Sequence, residues 1–168
     1  MKSSFYDQLS VEIYENRRLM GQAAAQDIRQ TMLQLLVQKE TINVIFAAAP
    51  SQNEVLAALA DDPTIPWDRI NAFHMDEYVG LPETAPQGFA NFLKAHLFNK
   101  VNFRSINYLN SESADPQAEC HRYAALLAAN PADMVVLGIG ENGHIAFNDP
   151  GVADFHDPAT VKIVASAK

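Results

Sequence analysis

The apolar positions of this chain change period along its length, and each change predicts an element. From Val11 to about Gln38, Leu19, Ala23, Ala24, Ile28, Met32, Leu35 and Leu36 recur at spacings of three and four, which predicts a helix with one apolar face. "NVIFAAA" (Asn43–Ala49) is a short apolar run and predicts a buried strand. "PSQNEVLAALADD" then reads as a helix, with Ser51 as N-cap and Glu54 at capping-box spacing. "RINAFHMDEY" (Arg69–Tyr78) predicts a second strand running into a loop with Gly80 and Pro82, and Gly88–Phe98 a helix. Ser105–Leu109 reads as a short strand. Asp115–Ala129 opens on Asp-Pro, a helix-starting pair, and "DMVVLGI" is apolar enough to predict a strand buried on both faces. Near the end, "VKIV" (Val161–Val164) is a last β-prone run.

Strands alternating with helices predict an α/β fold: a Rossmann-like, mostly parallel sheet with helices on both faces. Such sheets bind ligands beyond the carboxyl ends of their strands. Three loops are expected there, Ala48–Asn53, Met75–Gly80 and Gly138–Gly151, converging on one edge. A length of 168 residues fits one domain spanning 1–168. No stretch has the length of a membrane span and no export leader is read at the start, so a cytoplasmic protein without a membrane partner is expected. The single cysteine, Cys120, forms no internal disulfide and reads as a structural thiol.

Charge narrows the chemistry. A formal net charge of −8 and the lack of a basic stripe exclude a nucleic-acid partner. The same charge repels anions at long range, so an anion site here needs local donors. The first loop, "AAAPSQNE", precedes a helix N-terminus and is either such a site or a plain strand-to-helix turn. The second carries adjacent carboxylates, Asp76 and Glu77, as a general base or as a solvated acidic turn. The third, "GIGENGHIAFNDPG", sets His144 among glycines beside Asn142 and within reach of Asp149, as an acid/base group or a structural histidine. A metal centre built from His74, Asp76, His144, Asp154 and His156 is a minor alternative, because their spacing matches no established ligand pattern. The third loop is not a G-x-G-x-x-G turn opening a helix, so a dinucleotide is rejected and no cofactor is expected.

Together, "FHMDEYVGL" and "GIGENGHIAFNDPG" resemble the glucosamine-6-phosphate deaminase/isomerase family, whose fold is shared by the 6-phosphogluconolactonases. The resemblance runs from about Asn43 to Ile163, and "GHIAFNDP" favours the amino-sugar branch. It implies conversion of glucosamine 6-phosphate, or galactosamine 6-phosphate, to a ketose 6-phosphate and ammonia. By this resemblance Asp76 is the base that moves a proton between C2 and C1, and His144 assists ring opening. Asp149 stands where an acidic residue, usually glutamate, supports that histidine, and Asn142 where deaminases usually carry aspartate. The first loop, Ala48, Ala49, Pro50, Ser51 and Gln52, falls on the phosphate-binding segment, and Gly138 on a backbone contact to the sugar. Glu77, beside the base, is grouped with the substrate-binding residues.

The departures set further expectations. Asn142 orients a histidine without stabilising an imidazolium by charge. Asp149 is one methylene shorter than glutamate, and a misplacement of about 1 Å costs about 10²-fold in rate. The first loop lacks glycine, none of the twelve Lys and Arg lies in the three loops, and the lysine and arginine that hold phosphate in the family come from beyond this chain's last residue. A C-terminally truncated member with a damaged site and an exposed sheet edge is therefore expected, prone to self-association as a homo-oligomer or less specifically. The rival readings are a noncatalytic sugar-phosphate-binding module and a 6-phosphogluconolactonase.

Overall fold

A computed structural model describes residues 1–165. Strands β1 (Lys2–Tyr6) and β2 (Leu9–Ile13) form an antiparallel hairpin, followed by helix α1 (Arg17–Gln38). Then come β3 (Ile42–Phe46), a 3-10 turn (Pro50–Gln52), α2 (Asn53–Ala60), β4 (Ile70–His74), α3 (Phe89–Leu93) running into a π-helical turn, β5 (Ser105–Asn107), α4 (Pro116–Ala129) and β6 (Met134–Val136). The last four strands make a parallel sheet in the order β5-β4-β3-β6, with helices on both faces, as the alternating pattern predicts.

Strand alternation decides what packs where. Ile42, Val44 and Phe46 of β3, with Ile70 and Ala72 of β4, point to one face and are fully buried. They meet Met32 and Leu36 of α1, Leu56 and Leu59 of α2, and Leu93, Leu97 and Phe98 of α3 and its π turn. Each such side chain stabilises the fold by roughly 1.5–3 kcal/mol relative to exposure. On the other face Phe73 meets Tyr123 of α4, ring centroids 6.5 Å apart. The Tyr123 hydroxyl donates to the carbonyls of His74 (2.7 Å) and Asn107 (3.1 Å), tying α4 to the ends of β4 and β5. Asp115 caps α4 as the Asp-Pro pair predicts, its Oδ1 accepting from the amides of Gln117 and Ala118.

Four local expectations need correction. The helix predicted from Val11 starts only at Arg17, capped by Asn16, whose side chain accepts from Leu19 N–H. The residues before it alternate at a period of two and pair as a hairpin, with Asp7 turning the chain at φ 56°. Ser51 does not cap α2: Gln52 holds the N-cap position without a side-chain bond, and Glu54 pairs with Arg17 instead. The strand in "DMVVLGI" is confined to Met134–Val136. It pairs only with β3 among the described residues, and Val135 is 43% exposed, so it is an edge strand rather than one buried on both faces. Val161–Val164 forms no strand. Among the described residues no helix is long and apolar enough to cross a membrane.

Removing the Tyr123 hydroxyl leaves two carbonyls at the strand ends without this donor. Tyr123→Phe is expected to lower unfolding free energy by about 1–2 kcal/mol in urea titration, with the sheet intact by circular dichroism.

Candidate active site

Register brings the three loops to one level. Phe46 is the Cα partner of both His74 and Val136, so β3, β4 and β6 end side by side. Two further bonds continue the ladder into the loops: Ala47 N–H donates to Val136 O (2.9 Å) and Met75 N–H to Phe46 O (3.1 Å). The first and third loops touch where Ser51 Oγ lies 3.5 Å from the place a Cβ would take on Gly138. The second and third meet through rings, Tyr78 lying 5.3 Å from Phe147 and 5.0 Å from Phe89, with Phe89 stacked on Phe147 at 5.8 Å.

Within the third loop the residues singled out by sequence form one connected chain. Asn142 Nδ2 donates to Asp149 Oδ1 at 3.0 Å, and Asn142 Oδ1 lies 2.7 Å from His144 Nδ1. A carboxylate only accepts, so it holds the amide with its nitrogen toward Asp149 and its oxygen toward the ring. His144 therefore carries its proton on Nδ1 and leaves the lone pair on Nε2, the form suited to acid/base work. Asp149 Oδ1 also stands 3.3 Å from Nδ1, placed to stabilise charge when the ring is doubly protonated. The ring lies flat against Gly140, where any Cβ would overlap it.

Adjacent carboxylates in the second loop have different fates. Glu77 accepts from the amides of Tyr78 and Phe89 through Oε1 and of Ala90 through Oε2. Its carboxylate thus caps the first turn of α3 rather than standing free for a ligand, the place where a helix favours negative charge. Asp76 makes no such bond. Burial first, then the charge of Glu77, push its carboxyl up to about 6. A cavity of about 800 Å³ opens beside it, lined by Asp76 and Tyr78 together with Gly143, Ile145 and Phe147 of the third loop and by Tyr123 of α4; the His144 ring is not part of that wall.

In the first loop Gln52 is 5% exposed, and neither its amide nitrogen nor its oxygen has a partner among the described residues. It sits at the N-cap of α2, beside Ser51 and Pro50, with Ala48 and Ala49 leading in from β3. His74 is sealed in the core with both ring nitrogens unpartnered and Glu77 Oε2 3.9 Å from Nε2, and burial pushes its imidazole down to about 4. Among the described residues no group of three or more His, Cys, Asp or Glu is placed to hold a metal ion, and Asp154 and His156 lie exposed. One residue that sequence reasoning missed is Arg17. Its guanidinium reaches from α1 to Pro50 O and Glu54, at separations of 33 and 37 residues that no local pattern signals.

Two outcomes follow from this geometry. The folded-state carboxyl of Asp76, near 6, lies above its unfolded value of about 4. Its contribution is then present below pH 4 and lost as pH rises through 6. Wild type should lose stability relative to Asp76→Asn across that window, on the order of 2 kcal/mol by urea titration. Gly140→Ala should displace the His144 ring and break its bond to Asn142 while leaving the core unchanged; loss of the Nδ1–H signal in ¹⁵N-edited NMR would report it.

The family model of glucosamine-6-phosphate isomerases and 6-phosphogluconolactonases matches residues 15–166. Glucosamine-6-phosphate deaminase 1 of Giardia intestinalis is 43% identical over 99 residues, covering 57% of this chain and 37% of that protein. The glucosamine-6-phosphate deaminase of Lactobacillus delbrueckii subsp. bulgaricus is 39% identical over 114 residues, covering 67% of this chain and 47% of that protein. Among solved structures, a monomeric glucosamine-6-phosphate deaminase superposes with a TM-score of 0.74 at 25% identity, over 86% of this chain and 60% of that one. The 6-phosphogluconolactonase of Thermotoga maritima gives 0.68 at 27% identity, over 75% and 58%. The matched segments span less than half the length of these curated relatives. With all three loops inside the matched region, the chain belongs to the family of glucosamine-6-phosphate isomerases and 6-phosphogluconolactonases.

Proposed function

We propose that the three loops are the proton-transfer and ring-opening site of an amino-sugar-phosphate deaminase/isomerase, acting on glucosamine 6-phosphate or galactosamine 6-phosphate. The observation that carries this reading is the hydrogen-bonded chain Asp149–Asn142–His144, which fixes one histidine tautomer on a loop that meets the segment bearing Asp76. His144 Nε2 takes the proton from the C1 hydroxyl and delivers it to the ring oxygen as the C1–O bond opens. Asp76, ionised, removes the proton from C2 and returns it to C1 through an enediol-type intermediate that bears the amine at C2. The resulting C2 imine adds one water and releases ammonia, so aldosamine phosphate plus water gives ketose phosphate plus ammonia. A carboxyl near 6 suits both halves of the transfer, since a base works best with its pKa near the working pH.

The phosphoryl group is assigned to the first loop. The N-terminus of α2, the hydroxyl of Ser51 and the unpartnered amide of Gln52 supply neutral donors there, and a helix N-terminus favours an anion. Gly138 lies beside Ser51, where its backbone is placed to meet the sugar.

The test is incubation with glucosamine 6-phosphate in deuterated water, following ammonia and deuterium at C1 of the product. Ammonia, and deuterium at C1 to the extent that the Asp76 proton exchanges with solvent, are expected from the wild-type chain at a reduced rate, and Asp76→Asn should lower both a further 10²–10⁴-fold or about that. Ammonia release unchanged in Asp76→Asn would overturn the role of the base. Binding of sugar phosphate with neither product would instead favour a noncatalytic module, and hydrolysis of 6-phosphogluconolactone the lactonase branch.

A further inference from the structure

We propose that Arg17 is a positioning residue that sets the shape of the first loop from outside it; the inference rests on the assignment of that loop to the phosphoryl group. Glycine gives many anion-binding turns their freedom, and Ala47–Asn53 contains none. The loop instead folds as a 3-10 turn, Gln52 N–H donating to Ala49 O at 2.9 Å and Asn53 N–H to Pro50 O. Arg17 closes the outer side of this turn. Its Nη2 donates to Pro50 O at 2.8 Å, while Nε and Nη2 donate to the two oxygens of Glu54 at 3.0 and 2.8 Å. One guanidinium therefore holds both the carbonyl that accepts Asn53 N–H and the carboxylate in the first turn of α2. A planar fork makes these bonds together in one fixed geometry, which the single nitrogen of an ammonium does not reproduce.

The contact is built into α1 twice. Gly21 lies four residues after Arg17, on the same face of the helix. A Cβ at Gly21 would overlap the Cβ of Glu54, so its absence lets α1 approach α2 closely enough for Arg17 to reach Pro50. The third loop also touches the first, where Gly138 lies beside Ser51. The first loop is thereby touched by a guanidinium at Pro50 and by a glycine at Ser51, and its Gln52 amide is buried without a partner among the described residues.

An exposed ion pair adds little to global stability, and the Arg17 side chain is 58% exposed. A positioning role and a merely stabilising one therefore separate by where the effect appears. Amide hydrogen exchange by NMR on the wild-type chain, Arg17→Ala and Arg17→Lys provides the readout, with inorganic phosphate titrated against the Ser51–Asn53 signals. Arg17→Ala should speed exchange at Gln52 and Asn53 at least about fivefold, with less than about twofold change in β3 and α4. It should also weaken phosphate at least about threefold. Arg17→Lys, which keeps a donor for Pro50 O but loses the fork, should recover part of both. Unchanged exchange at Gln52 and Asn53 in Arg17→Ala would overturn the inference, as would acceleration spread evenly over the whole chain. Local acceleration with no phosphate response in wild type would support the clamp and sink the phosphoryl assignment instead.

Discussion

Phe89 stacked on Phe147, with Tyr78 against both, holds a glycine-rich loop in register with the end of β4. Such ring pairs add about 0.5–1.5 kcal/mol each beyond the area they bury, and here they restrain a segment with few other long-range bonds. The anchoring runs further back. Phe89 is the first residue of α3, and its amide is bound by the carboxylate of Glu77. Glu77 thus fixes α3, α3 fixes Phe89, and Phe89 seats the loop that carries His144. The neighbour of the proposed base reaches the proposed ring-opening histidine through packing rather than direct contact. Glu77 thus acts as a strut between the second loop and α3.

Adjacent carboxyl groups in one loop consequently serve opposite ends. Three backbone donors stabilise the charge of Glu77. Asp76 has no comparable donors, loses water, and feels that fixed negative charge, so it holds its proton more tightly. The third loop solves a different problem. Asn142 passes orientation, but not charge, from Asp149 to the imidazole. The carboxylate of Asp149 stands 3.3 Å from Nδ1, so a neutral Asn142 does not leave the ring without an anionic neighbour.

The parts legible in the sequence are those fixed by burial or by short spacing. The runs around Val44 and Ala72 are buried on the face packed by α1, α2 and α3, so their apolar character marked the strands. Asn142, His144 and Asp149 lie within eight residues, and their grouping on one loop was readable as such. What escaped was set by contacts between distant segments. Nothing near Glu77 says that its carboxylate will cap a helix at Phe89 and Ala90. Nothing near Arg17 says that it will meet Pro50. The N-terminal hairpin was hidden for another reason: Val11 stands at helical spacing from Leu19, whereas its pairing with Lys2–Tyr6 makes it part of a strand. Val135 shows the reverse error, an apolar residue taken for a buried one on a strand with a neighbour on only one side.

The buried polar groups left without partners give an independent sign of where this fold departs from simple packing. Native interiors leave few such groups, because each costs about 1–3 kcal/mol. Among the described residues, side-chain polar atoms of Gln52, Asn53, Trp67 and His74 are unpartnered; Gln52, Asn53 and His74 lie at or beyond the carboxyl ends of β3 and β4, whereas Trp67 precedes β4 at its other end. Hydrophobic packing alone would favour apolar residues at these positions. Three of the four thus gather near the strand ends where the loops meet; of these Gln52 keeps a desolvated amide for the proposed ligand, whereas His74 is sealed in the core. The stability forgone there is local. The sheet beneath is held by Ile42, Val44, Ile70 and Ala72, all fully buried, and does not depend on those polar groups being satisfied.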